Sequence, residues 1–364
     1  MKVLHVEAGR YLYGGARQVI YLLEGLQQRG IECVLVCREC SAIAQEMKGR
    51  VSGLYEIEMG GDLDLGLIWR LQKIIKAEQP DIVHLHSRRG ADLLGGIAAR
   101  LAGVKAVLSR RVDNPEPAWL VRWKYRLYHQ VITISRGIYQ VLLNEGVERS
   151  RLTCVRSAVS PVDFETACDR PWMLNEFGLD DSEILCAVIA QMIPRKGHRF
   201  LLQAMPELLA SFPSLRLLIF GQGPLEGRLK QQVAELGLKK RVIFAGFRRD
   251  LPKILPCLDL LVHPALMEGL GISLLQAAGA GVPIVAVDAG GMPEVVRDGC
   301  NGLLVPPGDA PALAEAITRL LSDRDLRLCM AEEGRSLVAR EFSIAQMVQG
   351  NLQVYTELLQ TEDG

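Results

Sequence analysis

The sequence predicts an α/β protein made of two doubly wound, Rossmann-like domains. At 364 residues the chain is longer than one ordinary core needs and fits two domains. Short apolar runs of strand length alternate with longer amphipathic stretches, which is the pattern of repeated βα units around a parallel sheet. An irregular stretch near residues 155–175 interrupts this alternation. We therefore assign residues 1–165 to the first domain and residues 170–342 to the second.

Apolar runs of strand length occur in both halves of the chain. In the first half they are Val3–Val6, Glu32–Val36, Ile82–Leu85, Ala106–Leu108 and Val131–Ile134, with helical patterns such as Ala16–Arg29 and Leu65–Glu78 between them. In the second half they are Leu185–Ile189, Arg216–Phe220, Val242–Ala245, Leu260–His263, Pro283–Val287 and Gly302–Val305. A capping box from Ser343 to Gln346 opens a last apolar-periodic run that continues to about Leu359. This predicts a final helix within residues 343–364.

Composition and charge favour a folded globular protein. The chain is 49% hydrophobic, 23% charged and 5% aromatic, and its formal net charge is zero. The first half carries a small positive excess and the second half a matching negative one. The basic half either meets an anionic acceptor or membrane surface, or it carries scattered solvated charge. We expect no nucleic-acid partner.

Targeting signals and cysteines bear on the compartment. The chain starts directly in a predicted strand without a signal-peptide pattern, and no apolar run approaches membrane-spanning length. We therefore expect a cytoplasmic protein whose membrane contact is peripheral, at the inner face. A reducing compartment would leave the nine cysteines without disulfides. Cys37 and Cys40 have a suggestive spacing but lack the partners of a zinc site, so we expect no metal.

The first candidate site residues follow strands of the first half. Gly14 and Gly15 lie between the first strand and the first helix, where a backbone can approach a phosphate; the alternative is a tight turn. The Gly-x-Gly-x-x-Gly fingerprint and the acidic residue after the second strand are missing, which disfavours an NAD enzyme. His86, at a strand's carboxyl end, is placed to contact a phosphate or sugar hydroxyl, whereas we interpret His84 as a core residue.

Basic residues of the first half predict an acceptor-binding surface. Arg88 and Arg89 either anchor an anionic acceptor or are exposed charges at a helix start. Arg110 and Arg111 precede a segment, residues 119–126, that mixes basic and aromatic side chains. This mixture is typical of a membrane-interface helix, and the alternative is a partly buried helix with solvated cations.

Two turns after strands of the second half are suited to phosphate binding. Pro194 and Gly197 flank Arg195 and Lys196, which places two cations where a diphosphate leaving group needs its charge neutralised. Gly221 belongs to a glycine turn after the next strand and would line the same site.

The sharpest signal is the segment from Glu268 to Gln276. Glycines follow Glu268 and a helix is predicted to begin at Ser273, so backbone amides can surround a phosphate while the carboxylate reaches sugar hydroxyls. Gln276 lies about one turn into the helix and can reach the same ligand. The alternative is a capping box, in which Gln276 turns back to the amide of Ser273.

Together these motifs resemble the retaining glycosyltransferases of family 4. That family has the GT-B fold, in which two Rossmann-like domains face each other across a cleft and a C-terminal helix crosses back to the N-terminal domain. The resemblance runs nearly end to end and includes residues 281–294 after the donor helix. It implies that Arg195 and Lys196 bind the donor diphosphate, that Glu268 binds the transferred sugar and that Gln276 binds the ribose. His86 would lie beside the reacting sugar.

The resemblance also implies smaller contacts. Amides at Gly271 and Ile272 would contact the phosphate or sugar, Gly15 would approach the diphosphate from the other domain, and Gly246 and Phe247 would lie near the base. Two departures from the family pattern affect these expectations. Gln276 stands where the family usually has Glu, and residues 190–191 read Ala-Gln instead of Gly-Arg, so that Arg195 becomes the substitute cation.

The implied reaction is transfer of a sugar with retention of anomeric configuration. The donor would be a nucleoside-diphosphate sugar, with UDP favoured over GDP, and the acceptor a glycan or lipid-linked molecule of lipopolysaccharide type. The leaving diphosphate would help to deprotonate the acceptor, with no metal or other cofactor. Two other functions stay open: a sugar-nucleotide 2-epimerase, which would need additional acid/base residues, and a catalytically silent donor-binding subunit, which Gln276 suggests.

Overall fold

The computed structural model describes residues 1–12, 14–86, 90–164 and 166–360. Its strands are β1 Lys2–Glu7, β2 Glu32–Arg38, β3 Gly53–Ile57, β4 Ile82–Leu85, β5 Lys105–Arg110, β6 Gln130–Thr133, β7 Leu152–Cys154, β8 Ile184–Ile189, β9 Leu215–Phe220, β10 Val242–Gly246, β11 Leu260–His263, β12 Ile284–Val287 and β13 Gly302–Val305. Its α-helices are α1 Gly14–Gln27, α2 Ala42–Met47, α3 Gly66–Glu78, α4 Ala91–Leu101, α5 Ala118–Lys124, α6 Arg136–Asn144, α7 Arg170–Phe177, α8 His198–Ser211, α9 Glu226–Glu235, α10 Leu251–Ile254, α11 Ile272–Ala280, α12 Met292–Val295, α13 Ala310–Ser322, α14 Arg324–Glu341 and α15 Ile344–Gln360.

The chain divides into two compact units. Unit 1 comprises Met1–Ala158 and the segment from Ile344 onward, and unit 2 comprises Val159–Ser343. The sequence placed the corresponding boundaries at residues 165, 170 and 342. Helix α15 therefore belongs with the first unit, although it is the last helix of the described chain.

Unit 1 is built on a parallel sheet with the strand order β3-β2-β1-β4-β5-β6-β7. One face is covered by α3, α4, α5 and α6, and the other by α1, α2 and α15. With helices on both faces, the strands are buried on both sides, which explains their nearly continuous apolar runs. The chain leaves β1 toward β2 and returns to β4 on the opposite side. The switch in strand order, where ligands bind in open α/β sheets, thus lies between β1 and β4.

Unit 2 is built on a second parallel sheet with the strand order β10-β9-β8-β11-β12-β13. Its switch in strand order lies between β8 and β11. The loops after β8, β9, β10, β11 and β12 all leave the carboxyl edge of this sheet. They include every turn of the second half that the sequence singled out, so the sheet topology brings these turns to one edge.

The α/β fold class is confirmed, and every run predicted as a strand forms one. Strands β3 and β7 were not predicted. Both are edge strands, short and only partly buried, and therefore lack a continuous apolar run. Helix α11 begins at Ile272, with Gly271 as the N-cap and no side-chain cap. The capping-box alternative for Ser273 and Gln276 is therefore wrong.

The expectation that no disulfide forms is also wrong. Cys168 and Cys257 are disulfide-bonded within unit 2, with their Cα atoms 4.9 Å apart. A reducing compartment disfavours disulfides in general, whereas the fold brings these two thiols within bonding reach across 89 residues of sequence. No helix in the described part of the chain is long and apolar enough to cross a membrane.

Candidate active site

Lys196 and Glu268 meet at the switch point of unit 2. Lys196 ends a 3₁₀ turn that follows β8, and Glu268 lies in the loop between β11 and α11. The Lys196 ammonium forms an ion pair with Oε2 of Glu268. Nε2 of His263, the last residue of β11, lies 3.2 Å from the same oxygen, and the Gly269 amide donates to Oε1 at 3.1 Å. Three donors from three chain positions therefore hold one carboxylate.

These contacts fix the charge states of the cluster. Burial alone would raise the pKa of the Glu268 carboxyl, but the His263 hydrogen bond and the Lys196 charge hold it well below its usual value. Burial lowers the pKa of His263, although its bond to Glu268 opposes this effect. Because a carboxylate only accepts, the neutral His263 ring must carry its hydrogen on Nε2. At neutral pH the cluster therefore contains a carboxylate at Glu268 and a neutral imidazole at His263.

Glycines allow the loops around Glu268 to pack closely. Gly197, with φ of 68°, and Gly290, with φ of 60°, adopt left-handed backbone that other residues rarely take. A Cβ at Gly197 would collide with the carbonyl of Pro264, and one at Gly290 with that of Glu268. The Gly291 amide donates to the same Glu268 carbonyl at 2.8 Å. These contacts therefore position the backbone of Glu268 in addition to its side chain.

The basic turn and helix α11 lie beside this cluster. The Leu266 amide donates to the Arg195 carbonyl at 2.8 Å, which ties the turn after β8 to the loop that carries Glu268. Helix α11 starts at Ile272 after Gly271, so its first amides point out of the helix end and can bind a phosphate. Gln276 is half-buried, and its side chain makes no hydrogen bond to another described residue.

The turns after β9 and β10 complete this edge of unit 2. The Gly221 amide donates to the Gly246 carbonyl at 2.8 Å. Phe247 follows, with 47% of its surface exposed. Arg248 beside it is held by Asp250, at 2.6 Å, and by Glu176. The predicted base-side residues therefore share the sheet edge with Lys196 and Glu268.

In unit 1, three histidines are buried side by side at the switch point. His5 lies on β1, His84 on β4, and His86 directly after β4. Nδ1 of His5 lies 2.9 Å from Nε2 of His86. Nε2 of His84 lies 2.8 Å from the Ser109 hydroxyl, and its Nδ1 contacts the Tyr355 hydroxyl on α15. Burial lowers the pKa of each of the three rings, so all three are neutral at neutral pH.

Arg111 joins this cluster from the segment after β5. Its Nη2 lies 3.4 Å from Nδ1 of His86. Its Cδ lies 3.7 Å from the position that a Cβ would take at Gly15, at the start of α1. Burial lowers the pKa of Arg111 to about 10, while the charge of Glu7 opposes this, so the guanidinium stays charged at neutral pH. The predicted residues Gly15, His86 and Arg111 are therefore brought together.

Arg110 has a different environment from its neighbour. Its side chain is 2% exposed and pairs with Glu116 at 3.1 Å. It also donates to the carbonyl of Asn114 at 2.6 Å. Lys124 binds the same Glu116 carboxylate at 2.8 Å, so this buried network anchors the segment between β5 and α5. Of the two predicted acceptor-binding arginines that the structure describes, Arg110 and Arg111, only Arg111 lies beside His86. Arg88 and Arg89 lie outside the described residues.

Sequence comparison identifies the protein family. A family profile described as "Glycosyl transferases group 1" matches residues 170–337, and one described as "Glycosyltransferase Family 4" matches residues 13–162. The chain is a family 4 glycosyltransferase. The two profiles meet near the division between the units, so each unit corresponds to one of them.

Named relatives of this glycosyltransferase match nearly end to end. A UDP-Gal:alpha-D-GlcNAc-diphosphoundecaprenol alpha-1,3-galactosyltransferase of Escherichia coli is 24% identical and covers 99% of this chain and 97% of its own. The lipopolysaccharide core biosynthesis glycosyltransferase LpsE of Rhizobium meliloti is 26% identical, with 97% and 98% covered. The crystal structure of Anabaena HepE in complex with UDP has a TM-score of 0.86 at 20% identity and covers 98% of this chain and 100% of that one. Its likeness supports the GT-B fold.

Sequence reasoning missed three residues of this glycosyltransferase's two clusters. His263 was placed at the end of a predicted strand, but its proximity to Glu268 depends on how the following loop turns back. His5 was placed inside the first strand, and only the register with β4 brings it beside the other histidines. Tyr355 lies on α15, far from His84 in sequence, and no local sequence pattern predicts its contact with the His84 ring.

Proposed function

We propose that this glycosyltransferase moves a sugar from a UDP-sugar to a glycan or lipid-linked acceptor with retention of anomeric configuration. The product would belong to lipopolysaccharide or to another cell-surface polysaccharide. The observation that carries the proposal is the Glu268 carboxylate, held between Lys196 and His263 beside the start of α11. This arrangement offers an anion for sugar hydroxyls next to a cation and free amides for a diphosphate.

The donor is assigned to unit 2. Glu268 keeps its charge at neutral pH because of its two side-chain partners, and a charged acceptor binds hydroxyl groups more strongly than a neutral one. Arg195 and Lys196 would neutralise the diphosphate, with amides at Gly271 and Ile272 contributing the positive end of α11. Gln276 would bind the ribose, and Gly221, Gly246 and Phe247 would surround the base.

The reaction needs one bond broken and one bond formed at the anomeric carbon. The bond from that carbon to the diphosphate oxygen breaks, and the acceptor oxygen forms a new bond on the same face of the sugar. The acceptor proton passes to the leaving diphosphate oxygen, so no separate protein base is required. Arg195 and Lys196 would stabilise the charge that develops on the leaving group, which is the role a metal ion has in other transferases. We therefore propose a metal-independent enzyme without a cofactor.

The acceptor is assigned to unit 1. His86 would face the reacting sugar, and Arg111 beside it offers a cation to an anionic acceptor. Arg88 and Arg89 follow His86 in sequence and stay candidates for the same role. The name of the E. coli relative includes both a UDP-sugar and a diphosphoundecaprenol-linked acceptor, and that of the Rhizobium relative includes lipopolysaccharide core synthesis. Together with the UDP complex of the Anabaena protein, these names support the choice of donor and acceptor class.

A lipid-linked acceptor would require contact with a membrane. Trp119 and Trp123 on α5 are 72% and 75% exposed and lie four residues apart, on one side of the helix. Arg122 and Arg126 are exposed close by. Exposed tryptophans beside cations are typical of segments that bind at an anionic lipid surface. We assign α5 to peripheral contact with the inner face of the cytoplasmic membrane, which makes the protein cytoplasmic.

The test is a transfer assay with radiolabelled donors. Purified protein is incubated with a panel of UDP- and GDP-sugars and a diphosphate-linked glycolipid acceptor, with and without EDTA. We expect label to pass from one UDP-sugar to the lipid at an unchanged rate in EDTA, and NMR of the product to show the donor's anomeric configuration. An inverted product would refute retention, and loss of transfer in EDTA would refute metal independence. Conversion of the donor without acceptor would indicate an epimerase, and no binding of any nucleotide sugar would refute the proposed function.

The variant that tests the role of Glu268 in the same assay is Glu268→Ala. We expect it to lose about 10- to 100-fold in transfer rate, since a hydrogen bond to a charged group contributes about 1.5–3 kcal/mol. Unchanged transfer would show that the sugar is bound elsewhere.

A further inference from the structure

The contacts among His5, His86 and Arg111 fix where each ring carries its hydrogen. His86 lies between the two other side chains. Its Nδ1 faces the Arg111 guanidinium at 3.4 Å, and its Nε2 faces Nδ1 of His5 at 2.9 Å. The rings of His5 and His86 are nearly parallel, with an angle of 8° between their planes. Both side chains are fully or almost fully buried, so water does not offer alternative partners.

The arginine side chain only donates hydrogen bonds, and this determines the tautomer of His86. Nδ1 of His86 must accept from Arg111 and therefore carries no hydrogen. Because the ring is neutral, its hydrogen lies on Nε2, and Nε2 must donate to His5. Nδ1 of His5 is then the acceptor, and the hydrogen of His5 lies on its own Nε2. That atom is buried and has no hydrogen-bond partner among the described residues. His5 therefore accepts the hydrogen bond from His86, while its own Nε2–H donates to no described residue.

We propose that His5 is a positioning residue for sugar transfer and that it acts through His86. By accepting from Nε2, His5 keeps His86 in one tautomer and one ring orientation, with the Nδ1 lone pair beside the Arg111 guanidinium. His86 in turn holds the Arg111 guanidinium, whose remaining N–H groups can donate to an oxygen of the ligand. The opposite tautomer would aim an N–H at the guanidinium, which also donates only. This role rests on the proposed function, which places His86 beside the reacting sugar.

The test compares two substitutions of His5 that differ in whether the new side chain offers a hydrogen-bond acceptor. His5→Asn places an amide oxygen where Nδ1 lies and can still accept from His86, whereas His5→Leu fills the space without an acceptor. We expect His5→Leu to lower kcat by about 10- to 100-fold, the range found when the hydrogen-bond partner of a metal-ligating histidine is removed, with the donor KM within twofold. His5→Asn should recover at least half of that loss on a logarithmic scale.

Val3→Ala is the matched control for damage to packing. Val3 lies on the same strand and the same sheet face as His5 and is fully buried, but it has no part in the polar network. It should lower the melting temperature without lowering kcat. A His5→Leu variant that is folded and has wild-type kcat would overturn the proposal. So would a His5→Asn variant that is folded but no more active than His5→Leu.

An activity-independent measurement separates this proposal from the proposed function. Protein labelled with ¹⁵N-histidine, without substrate, should show His86 as a neutral ring with its hydrogen on Nε2, and His5→Leu should lose that single tautomer. A wild-type His86 with hydrogen on Nδ1, or a charged ring, would overturn the proposal whatever the enzyme transfers. Stoichiometric Zn²⁺ binding that depends on His5 would also overturn it, because the metal would take the nitrogens that the bond joins. If the wild type transfers no sugar, the proposed function fails while the spectra still decide the tautomer.

Discussion

Removal of the Lys196 ammonium most directly tests what stabilises the cluster of Lys196, His263 and Glu268. Lys196→Met keeps most of the side-chain length but leaves the Glu268 carboxylate without its cation. The two side chains are 10% and 16% exposed, so the pair is largely withdrawn from water. After the change, the carboxylate keeps the His263 ring and the Gly269 amide as donors.

The expected cost follows from those remaining contacts. Removing one partner of a fully buried ion pair costs about 3–5 kcal/mol, because the other charge stays buried and uncompensated. Here two donors and some solvent remain, so we expect about 2–3 kcal/mol for Lys196→Met. Glu268→Gln leaves the ammonium beside an amide oxygen and should cost a similar amount. The double variant removes both charges and should cost about 1–2 kcal/mol less than the sum of the single variants.

The assay must report on unit 2 alone, since the two units have separate sheets and need not unfold together. Hydrogen exchange of amides in α8 and β11 of the full chain gives the opening free energy of unit 2 for each variant. Lys230 and Glu226 form the control pair, with side chains 54% and 37% exposed. The same cycle at that pair should give a coupling of at most about 0.5 kcal/mol. If the changes in opening free energy caused by Lys196→Met and Glu268→Gln are additive in the double variant, the ion pair does not stabilise the cluster.

Four further predictions concern acidity, ribose binding, the diphosphate and the membrane. Since the folded-state pKa of Glu268 is depressed, its stabilisation is complete above its ordinary value of 4.5 and is lost progressively as the pH falls from there toward the folded-state pKa. Acid unfolding followed by circular dichroism should therefore be less steep in Glu268→Gln, and equal slopes would contradict this. Gln276→Glu should tighten UDP binding in calorimetry by about 2- to 10-fold, because a carboxylate accepts more ribose hydroxyls than an amide, and weaker binding would argue against a ribose contact. Gly15→Ala should keep the melting temperature but lower kcat/KM at least tenfold, about 1.4 kcal/mol, whereas unchanged kinetics would remove the diphosphate from that turn. Replacing both Trp119 and Trp123 by Ser should reduce cosedimentation with anionic vesicles about tenfold, and undiminished binding would exclude α5 as the contact.

The sequence could predict the fold class because both sheets are parallel and covered on both faces. Their central strands are continuous apolar runs, and those runs were recognisable without any contact information. The edge strands β3 and β7 show the limit of this signal. Each has a neighbour on one side only and is partly exposed, so its composition resembles that of a loop. The pairing of Cys168 with Cys257 shows the same limit, because it depends on contacts across unit 2.

For the candidate site, local motifs predicted the residues but not their partners. Glu268 and Lys196 were recognised because each follows a strand in a turn of unusual composition. That they form an ion pair is a consequence of strand order, which places β8 next to β11. The capping-box alternative for Gln276 failed for a smaller reason: the helix begins one residue before Ser273, and Gly271 takes the cap position with φ of 91°. The cap position thus lies two residues before Ser273, which releases the Gln276 side chain from that role.

The glycines of the two candidate sites meet two different physical requirements. At Gly197, Gly290 and Gly291 a Cβ would collide with a backbone carbonyl of a neighbouring loop, so the fold of unit 2 demands glycine before any ligand binds. Gly15 differs, because a Cβ there would meet only Arg111, at an ordinary distance of 3.7 Å. Alanine would also favour the helix at that position. Packing therefore does not explain the glycine, and close approach of a ligand is the explanation that the proposed diphosphate contact supplies.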